Sequence, residues 1–224
     1  MEPRVASMLK WPSIRKKRDD APSAPSAPSA PAASARGPAA EVLELALLEG
    51  IKRGQRAEFD ALYRVYHPRL WRFLSHLMRQ PEAIEEVLND TLMVVWQRAD
   101  SFDGRSKLST WIFGIAYRKA LKALSRQDLP VDGDSVEEPT DPGPGPEQRL
   151  GLEQLRGRLR AAMAELSPEH RAVVELCYFH DMAYAEIADV VGCPPETVKT
   201  RMFYARRRLR LLLDDLAGLE QGEL

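Results

Sequence analysis

The chain has 224 residues, a length that accommodates one large domain or two small ones, and its net charge of −1 indicates no class of partner. Two cysteines, Cys177 and Cys193, are too few for a disulfide framework and fit a reducing compartment. No apolar run approaches the roughly 20 residues of a membrane span, and no signal-peptide core follows the basic N-terminus, so we expect a soluble cytoplasmic protein.

Residues 1–40 are expected to form a disordered arm. Their tract APSAPSAPSAPAASA is rich in Pro, Ala and Ser and cannot bury enough apolar surface to fold. A small basic cluster precedes the tract and consists of Lys10, Arg15, Lys16, Lys17 and Arg18. We interpret this cluster as a solvated tail, with contact to nucleic acid or acidic lipid as the alternative.

Residues 41–126 show helical periodicity and no sustained alternation typical of strands. A first apolar helix face begins at Val42 and is expected to be interrupted at Gly50 and Gly54. Pro68 is expected to begin a second helix. A third helix follows Pro81 and a fourth covers residues 108–126, so this half of the chain is predicted to be an all-helical domain.

The third and fourth predicted helices carry different charges. The third has an apolar side and an acidic and polar side, formed by Glu82, Glu85, Glu86, Asn89 and Asp90. A loop around Gly104 precedes the fourth helix, whose polar side is basic, with Arg118, Lys119, Lys122 and Arg126. Trp111 lies on the apolar side of the fourth helix, where a core position is one interpretation.

Residues 127–149 are predicted to be a flexible linker because they combine Pro and Gly with a high density of acidic side chains. A second helical domain is then expected over residues 150–216, followed by a tail at residues 217–224. Within this domain, Ser167-Pro168 is typical of a helix start, since serine caps the first turn and proline fits its first position.

Residues 182–212 predict a helix-turn-helix. Tyr184, Ile187, Ala188 and Val191 lie on one face of a short helix, and Gly192 is suited to close it. The following helix places apolar residues at steps of four and three from Val198, and its free side is basic. A second helix of this kind lies in a DNA major groove. A short coiled-coil seam or a solvated surface helix is the alternative, but the apolar stripe lasts little more than two heptads.

Two blocks of sequence resemble the extracytoplasmic-function group of the bacterial sigma-70 family. SFDGRSKLSTWIFGIAYRKAL belongs to a stretch similar to region 2, over residues 54–126. LSPEHRAVVELCYFHDMAYAEIADVVGCPPETVKTRMFYARRRLR belongs to a stretch similar to region 4, over residues 150–212. The resemblance implies an all-α fold with two small helical domains, joined by the acidic linker and without the intervening region 3.

The same resemblance implies a role for each surface. By this resemblance, the residues that dock on the clamp helices of the polymerase β′ subunit are Glu86, Asn89, Asp90, Leu92 and Trp96. Recognition of the −10 promoter element falls to Phe102, Lys107, Trp111, Arg118, Lys119 and Lys122. Recognition of the −35 element falls to Thr197, Lys199, Thr200, Arg201, Phe203, Tyr204, Arg207 and Arg208.

The implied function is promoter-specific initiation of transcription by core RNA polymerase, with contact to its β flap and control by an anti-sigma factor. The implied protein is a polymerase subunit rather than an enzyme, and it needs no cofactor or metal. The linker would thread toward the RNA exit channel, or act as a plain tether.

Two other functions remain to be weighed. A stand-alone regulator with the same helix-turn-helix would need a receiver domain or ligand pocket, which the helical first half does not suggest. A metal or redox sensor would use Cys177, His180 and Cys193, but structural metal sites usually need four ligands.

Overall fold

The structure, a computed structural model, describes residues 37–126 and 156–221. All regular elements in these two ranges are helices, which confirms the predicted all-α fold. The predictions for the N-terminal arm before residue 37 and for the acidic linker lie outside the described residues. Within the described ranges, no helix combines the length and the apolar character that crossing a bilayer requires.

The first domain contains α1 (Pro38–Lys52), α2 (Arg56–Leu77), α3 (Pro81–Gln97) and α4 (Leu108–Leu124), with a short 3-10 helix at Ala99–Ser101. Its core forms where the apolar faces of the four helices meet, and it contains the fully buried side chains of Leu62, Tyr66, Phe73, Leu88 and Ile112. The helix α1 begins at Pro38, inside the stretch that was assigned to the arm.

The predicted interruption of the first helix at Gly50 is wrong, because α1 continues through this residue to Lys52. The chain turns instead at Gly54, whose φ of 77° lies in the left-handed region that glycine tolerates. Gly50 has a packing role: a Cβ there would overlap the Cγ of Glu58 on α2. Glycine at this position therefore lets α1 and α2 approach closely.

The prediction that Pro68 begins a helix is also wrong, because this proline lies inside α2. Proline removes one backbone hydrogen bond from a helix and normally bends or ends it. Here the residues on both sides of it, including Tyr66 and Leu70, are fully buried on one face of the helix. The burial of this continuous face outweighs the lost hydrogen bond and keeps α2 as one element.

The second domain contains a helix over residues 156–164 (α5), then α6 (Pro168–Tyr178), α7 (Tyr184–Val191) and α8 (Pro195–Gln221). The predicted cap is confirmed, since the Ser167 side chain accepts a hydrogen bond from the backbone N–H of His170 at 3.4 Å. The predicted turn is also confirmed, because Gly192 closes α7 with a φ of 69°. The last helix, α8, extends beyond the predicted domain end at residue 216.

The two domains pack against each other, which the sequence did not predict. The helix α2 contacts α6, and α4 contacts α7. Hydrogen bonds also join them: Nη1 of Arg171 on α6, for example, donates to the backbone oxygen of His76 on α2 at 2.8 Å.

Candidate nucleic-acid interface

The helix α8 has one buried face and one exposed basic face. The buried face packs against α6 and α7, and its side chains Val198, Met202 and Ala205 are at most 1% exposed. Six of the eight residues predicted for the −35 element are exposed, and these are Lys199, Thr200, Phe203, Tyr204, Arg207 and Arg208. Together they form the feature that we call the α8 ridge. The other two, Thr197 and Arg201, are half-buried.

The polar contacts within the α8 ridge are local and weak. The ammonium group of Lys199 lies 2.7 Å from Oε1 of Glu196, one turn earlier in the same helix. The hydroxyl of Thr200 donates to the backbone oxygen of Glu196 at 3.0 Å. Ion pairs between residues three or four apart on a helix contribute only about 0.2–0.5 kcal/mol, so Lys199 can exchange this contact for one to DNA.

Two aromatic side chains stand on the α8 ridge. Phe203 and Tyr204 are 38% and 53% exposed, and their rings meet edge to face with centroids 5.5 Å apart. Large apolar side chains that are exposed among basic residues indicate a binding surface for another molecule. In a major groove, such side chains can pack on thymine methyl groups.

Arg201 points away from the α8 ridge, toward the first domain. Its Nη1 lies 4.0 Å from Sγ of Cys193, and its charge also acts on Tyr117 of α4. Burial raises the pKa of Tyr117 to about 12, and the positive charge of Arg201 partly opposes this rise. In this conformation Arg201 therefore belongs to the domain interface rather than to the DNA-reading face predicted for it.

Phe102 and Trp111, the two aromatic residues predicted to recognise the −10 element, pack against each other in the first domain. Phe102 is only 8% exposed, and its ring centroid lies 5.6 Å from that of Trp111, which is half-buried. This corrects the expectation that Phe102 is presented for stacking on bases. The short 3-10 helix at Ala99–Ser101 turns the chain back, so the next side chain enters the core.

The basic side chains predicted for the −10 element divide into two groups. Arg118 and Lys122 are exposed on α4. Lys119 instead pairs with Asp90 of α3 at 2.7 Å, and Lys107 lies between two carboxylates. Hydrogen bonds to Glu186 and to Glu41 raise the pKa of Lys107, so its charge is retained.

The surface predicted to bind polymerase is only partly exposed. Glu86, Asn89 and Asp90 are exposed on successive turns of α3, as expected for a docking face. The assignment of Leu92 is wrong, because this side chain is 1% exposed and lies in the core on the opposite face of α3. Trp96 is half-buried, with its ring centroid 5.2 Å from that of Phe59.

Sequence reasoning missed Met93, which is 50% exposed. Met93 follows Asn89 by four residues and Glu86 by seven, so it shares their helix face. This spacing was the signal that could have identified it. Met93 adds a flexible apolar side chain to the acidic surface of α3, a combination suited to protein recognition.

The residues considered for a metal or redox site do not converge. Across residues 37–126 and 156–221, no three His, Cys, Asp or Glu side chains are grouped so as to hold a metal ion. Cys177 is buried in α6 and Cys193 is half-buried in the turn. Burial raises the pKa of both thiols, which favours the unreactive protonated form.

Two family models match the chain: Sigma-70 region 2 over residues 62–129 and Sigma-70, region 4 over residues 156–209. The chain is 32% identical to the ECF RNA polymerase sigma factor RpoE of Cereibacter sphaeroides, over 74% of this chain and 92% of the relative. It is 30% identical to the ECF RNA polymerase sigma factor SigL of Mycobacterium tuberculosis, over 77% of this chain and 98% of the relative. A solved structure of the sigma factor RpoE from Bartonella quintana, in complex with the anti-sigma factor NepR, matches with a TM-score of 0.54 and 26% identity, over 70% of this chain and 97% of that one.

Proposed function

Because the chain belongs to the extracytoplasmic-function group of the sigma-70 family, we propose that α8 and α4 are the helices through which it reads promoter DNA. The chain is a sigma factor, which binds core RNA polymerase and directs promoter-specific initiation of transcription. It acts as a non-catalytic subunit, in the cytoplasm where polymerase and promoters are found.

The observation that carries the proposal is the α8 ridge, a row of exposed basic, hydroxyl and aromatic side chains opposite a fully buried stripe. Lys199 and Thr200 lie in the first turns of α8, the part of a recognition helix that reaches base edges. Arg207 and Arg208 lie two turns later, where the helix passes the phosphate backbone. We therefore assign base reading to the first pair and phosphate binding to the second.

For the −10 element, we assign phosphate binding to Arg118 and Lys122, since both are exposed on α4. Lys107 and Lys119 must first leave their carboxylate partners. Trp111 is half-buried and can offer one edge to an unstacked base while the rest of its ring stays on the core.

For polymerase binding, Glu86, Asn89 and Asp90 supply the polar contacts to the clamp helices of β′, and Met93 supplies an apolar one. We further propose that the second domain binds the β flap. Control by an anti-sigma factor is supported by the similar sigma factor from Bartonella quintana, whose structure contains one.

Run-off transcription with core polymerase and a library of −35 variants tests the division of roles on α8. Lys199→Ala should flatten the preference among −35 sequences, since a base contact carries about 1–3 kcal/mol of discrimination. Arg208→Ala should weaken all promoters about equally and reduce the salt slope by about one unit. Altered base preference in Arg208→Ala, with an unchanged one in Lys199→Ala, would contradict this docking of α8.

A pull-down of core polymerase tests the α3 surface. Reversing both charges, with Glu86→Lys and Asp90→Lys, should weaken binding while leaving the helical circular dichroism intact. The matched control reverses two other exposed carboxylates, with Glu49→Lys on α1 and Asp60→Lys on α2, both outside the proposed surface. Equal binding by the double variant and the control would refute the assignment.

A further inference from the structure

The first turn of α8 carries a single acidic side chain on an otherwise basic helix. Between residues 195 and 213, Glu196 is the only carboxylate, whereas six Lys and Arg side chains lie in the same stretch. The side chain of Glu196 is 79% exposed. The roles assigned to the α8 ridge leave this carboxylate without a function.

Glu196 shares a helix face with the residues assigned to base reading. Residues three, four and seven positions apart lie on one side of an α-helix, and Lys199, Thr200 and Phe203 follow Glu196 at these spacings. All four side chains are exposed. The first turns of a recognition helix reach the base edges, so the Glu196 carboxylate faces the bases when α8 docks as proposed.

A carboxylate in the major groove needs a hydrogen-bond donor. An ionised carboxylate only accepts hydrogen bonds, and the phosphates on both sides of the groove repel it. The donors that base edges present there are the N4 amino group of cytosine and the N6 amino group of adenine. Adenine also places its N7 acceptor beside the amino group, where it opposes the second carboxylate oxygen. Cytosine has no such acceptor and therefore satisfies a carboxylate best.

The ion pair between Glu196 and Lys199 is complementary to the edge of a C·G base pair. Nζ of Lys199 lies 2.7 Å from Oε1 of Glu196. An ammonium group has three donors, so it can keep this contact while it donates to O6 or N7 of a guanine. The amino group of cytosine and the O6 of its paired guanine are neighbours in the groove. An acceptor beside a donor on α8 thus meets a donor beside an acceptor on the DNA.

We propose that Glu196 is a specificity-determining residue that selects cytosine at one position of the −35 element, where its carboxylate accepts a hydrogen bond from the N4 amino group. Lys199 compensates the carboxylate charge and contacts the guanine of the same base pair. This inference rests on the proposed docking of α8. An acid in the first turn also suits the positive end of the helix dipole, but that contribution is independent of the DNA sequence.

The test uses core polymerase with the full-length chain and measures initiation from promoters whose −35 positions are randomised. The wild type should prefer cytosine at one position. Glu196→Ala should reduce this preference about tenfold, as expected for one lost base contact, and leave the other positions unchanged. Glu196→Gln should shift the preference at the same position to adenine, because a glutamine amide pairs with both N6 and N7 of adenine.

Asp189→Asn is the matched control for the loss of one negative charge. Asp189 is an exposed carboxylate on α7, in the same helix-turn-helix but outside the α8 face that reads bases. Its replacement should change initiation from all −35 sequences about equally and keep every base preference. Far-ultraviolet circular dichroism should be the same for all these variants, since each replaces an exposed side chain.

Three results would overturn the inference. They are a wild type without any cytosine preference, a Glu196→Ala variant that keeps the preference, and a Glu196→Ala variant that changes all sequences uniformly, as the control does. Flattened preferences in Lys199→Ala, together with unchanged preferences in the Glu196 variants, would refute only the role of Glu196. Unchanged preferences in the Lys199 and Glu196 variants alike would refute the proposed docking of α8 itself.

Discussion

The attachment of α1 to the first domain depends on a buried polar cluster around Glu44. The hydroxyl of Tyr66 on α2 donates to Oε2 of Glu44 at 2.6 Å, and Nη1 of Arg69 lies 3.3 Å from Oε1. Glu44 and Arg69 side chains are 9% and 10% exposed. Burial and the adjacent Glu44 carboxylate raise the pKa of Tyr66, so the hydroxyl stays protonated and continues to donate.

Replacing this carboxylate, with Glu44→Ala, should lower the free energy of unfolding by about 3 kcal/mol. Breaking a buried ion pair costs about 3–5 kcal/mol, because it leaves an uncompensated buried charge. The lower end applies here, since the Arg69 guanidinium keeps its position over the Tyr66 ring at 4.5 Å and the Phe113 ring at 5.4 Å. Such cation–π contacts contribute about 0.5–2 kcal/mol each.

Urea unfolding followed by far-ultraviolet circular dichroism measures this change. Tyr66→Phe removes only the hydrogen bond to a charged acceptor and should cost about 1.5–3 kcal/mol. Glu49→Ala, at an exposed carboxylate on the same helix, should cost less than about 0.5 kcal/mol. The reasoning fails if Glu44→Ala costs less than Tyr66→Phe, or no more than the Glu49 control.

Three further predictions concern packing and titration. Gly50→Ala should lower the free energy of unfolding by about 1–3 kcal/mol because its methyl group meets α2, whereas Gly157→Ala in α5, with open space around it, should not lower the free energy of unfolding in the same urea assay. The pKa of Tyr117, raised to about 12, means that the stability from its burial is complete below about pH 10 and is lost as pH rises toward 12; phenolate absorbance should show this late titration as one component, which Tyr117→Phe removes while Tyr66 and Tyr184, whose pKa values are also raised, continue to titrate late. A thiol reagent should modify half-buried Cys193 slowly and buried Cys177 only after unfolding, and mass spectrometry of labelled peptides would expose the opposite order.

The local rules of helix formation made much of each domain predictable. Apolar spacing identified the buried stripe of α8 from Val198 to Ala205, because a helix packed on one side repeats its buried positions every three or four residues. Backbone requirements identified the cap at Ser167 and the turn at Gly192. The same rules assigned too much weight to Gly50 and Pro68, where packing against neighbouring helices overrides the local tendency to break.

The sequence by itself determined the helical class, the helix-turn-helix and the exposed basic ridge, since each depends on residues close together in the chain. Only the tertiary structure decided which charges are buried and which DNA-reading groups are covered. Glu175 looks like an ordinary polar helix residue in the sequence, and its burial depends on Arg72, about a hundred positions earlier. Periodicity describes how a helix packs on its own domain, whereas the second covered face of α4 arises from a contact between domains, for which neighbouring residues carry no signal.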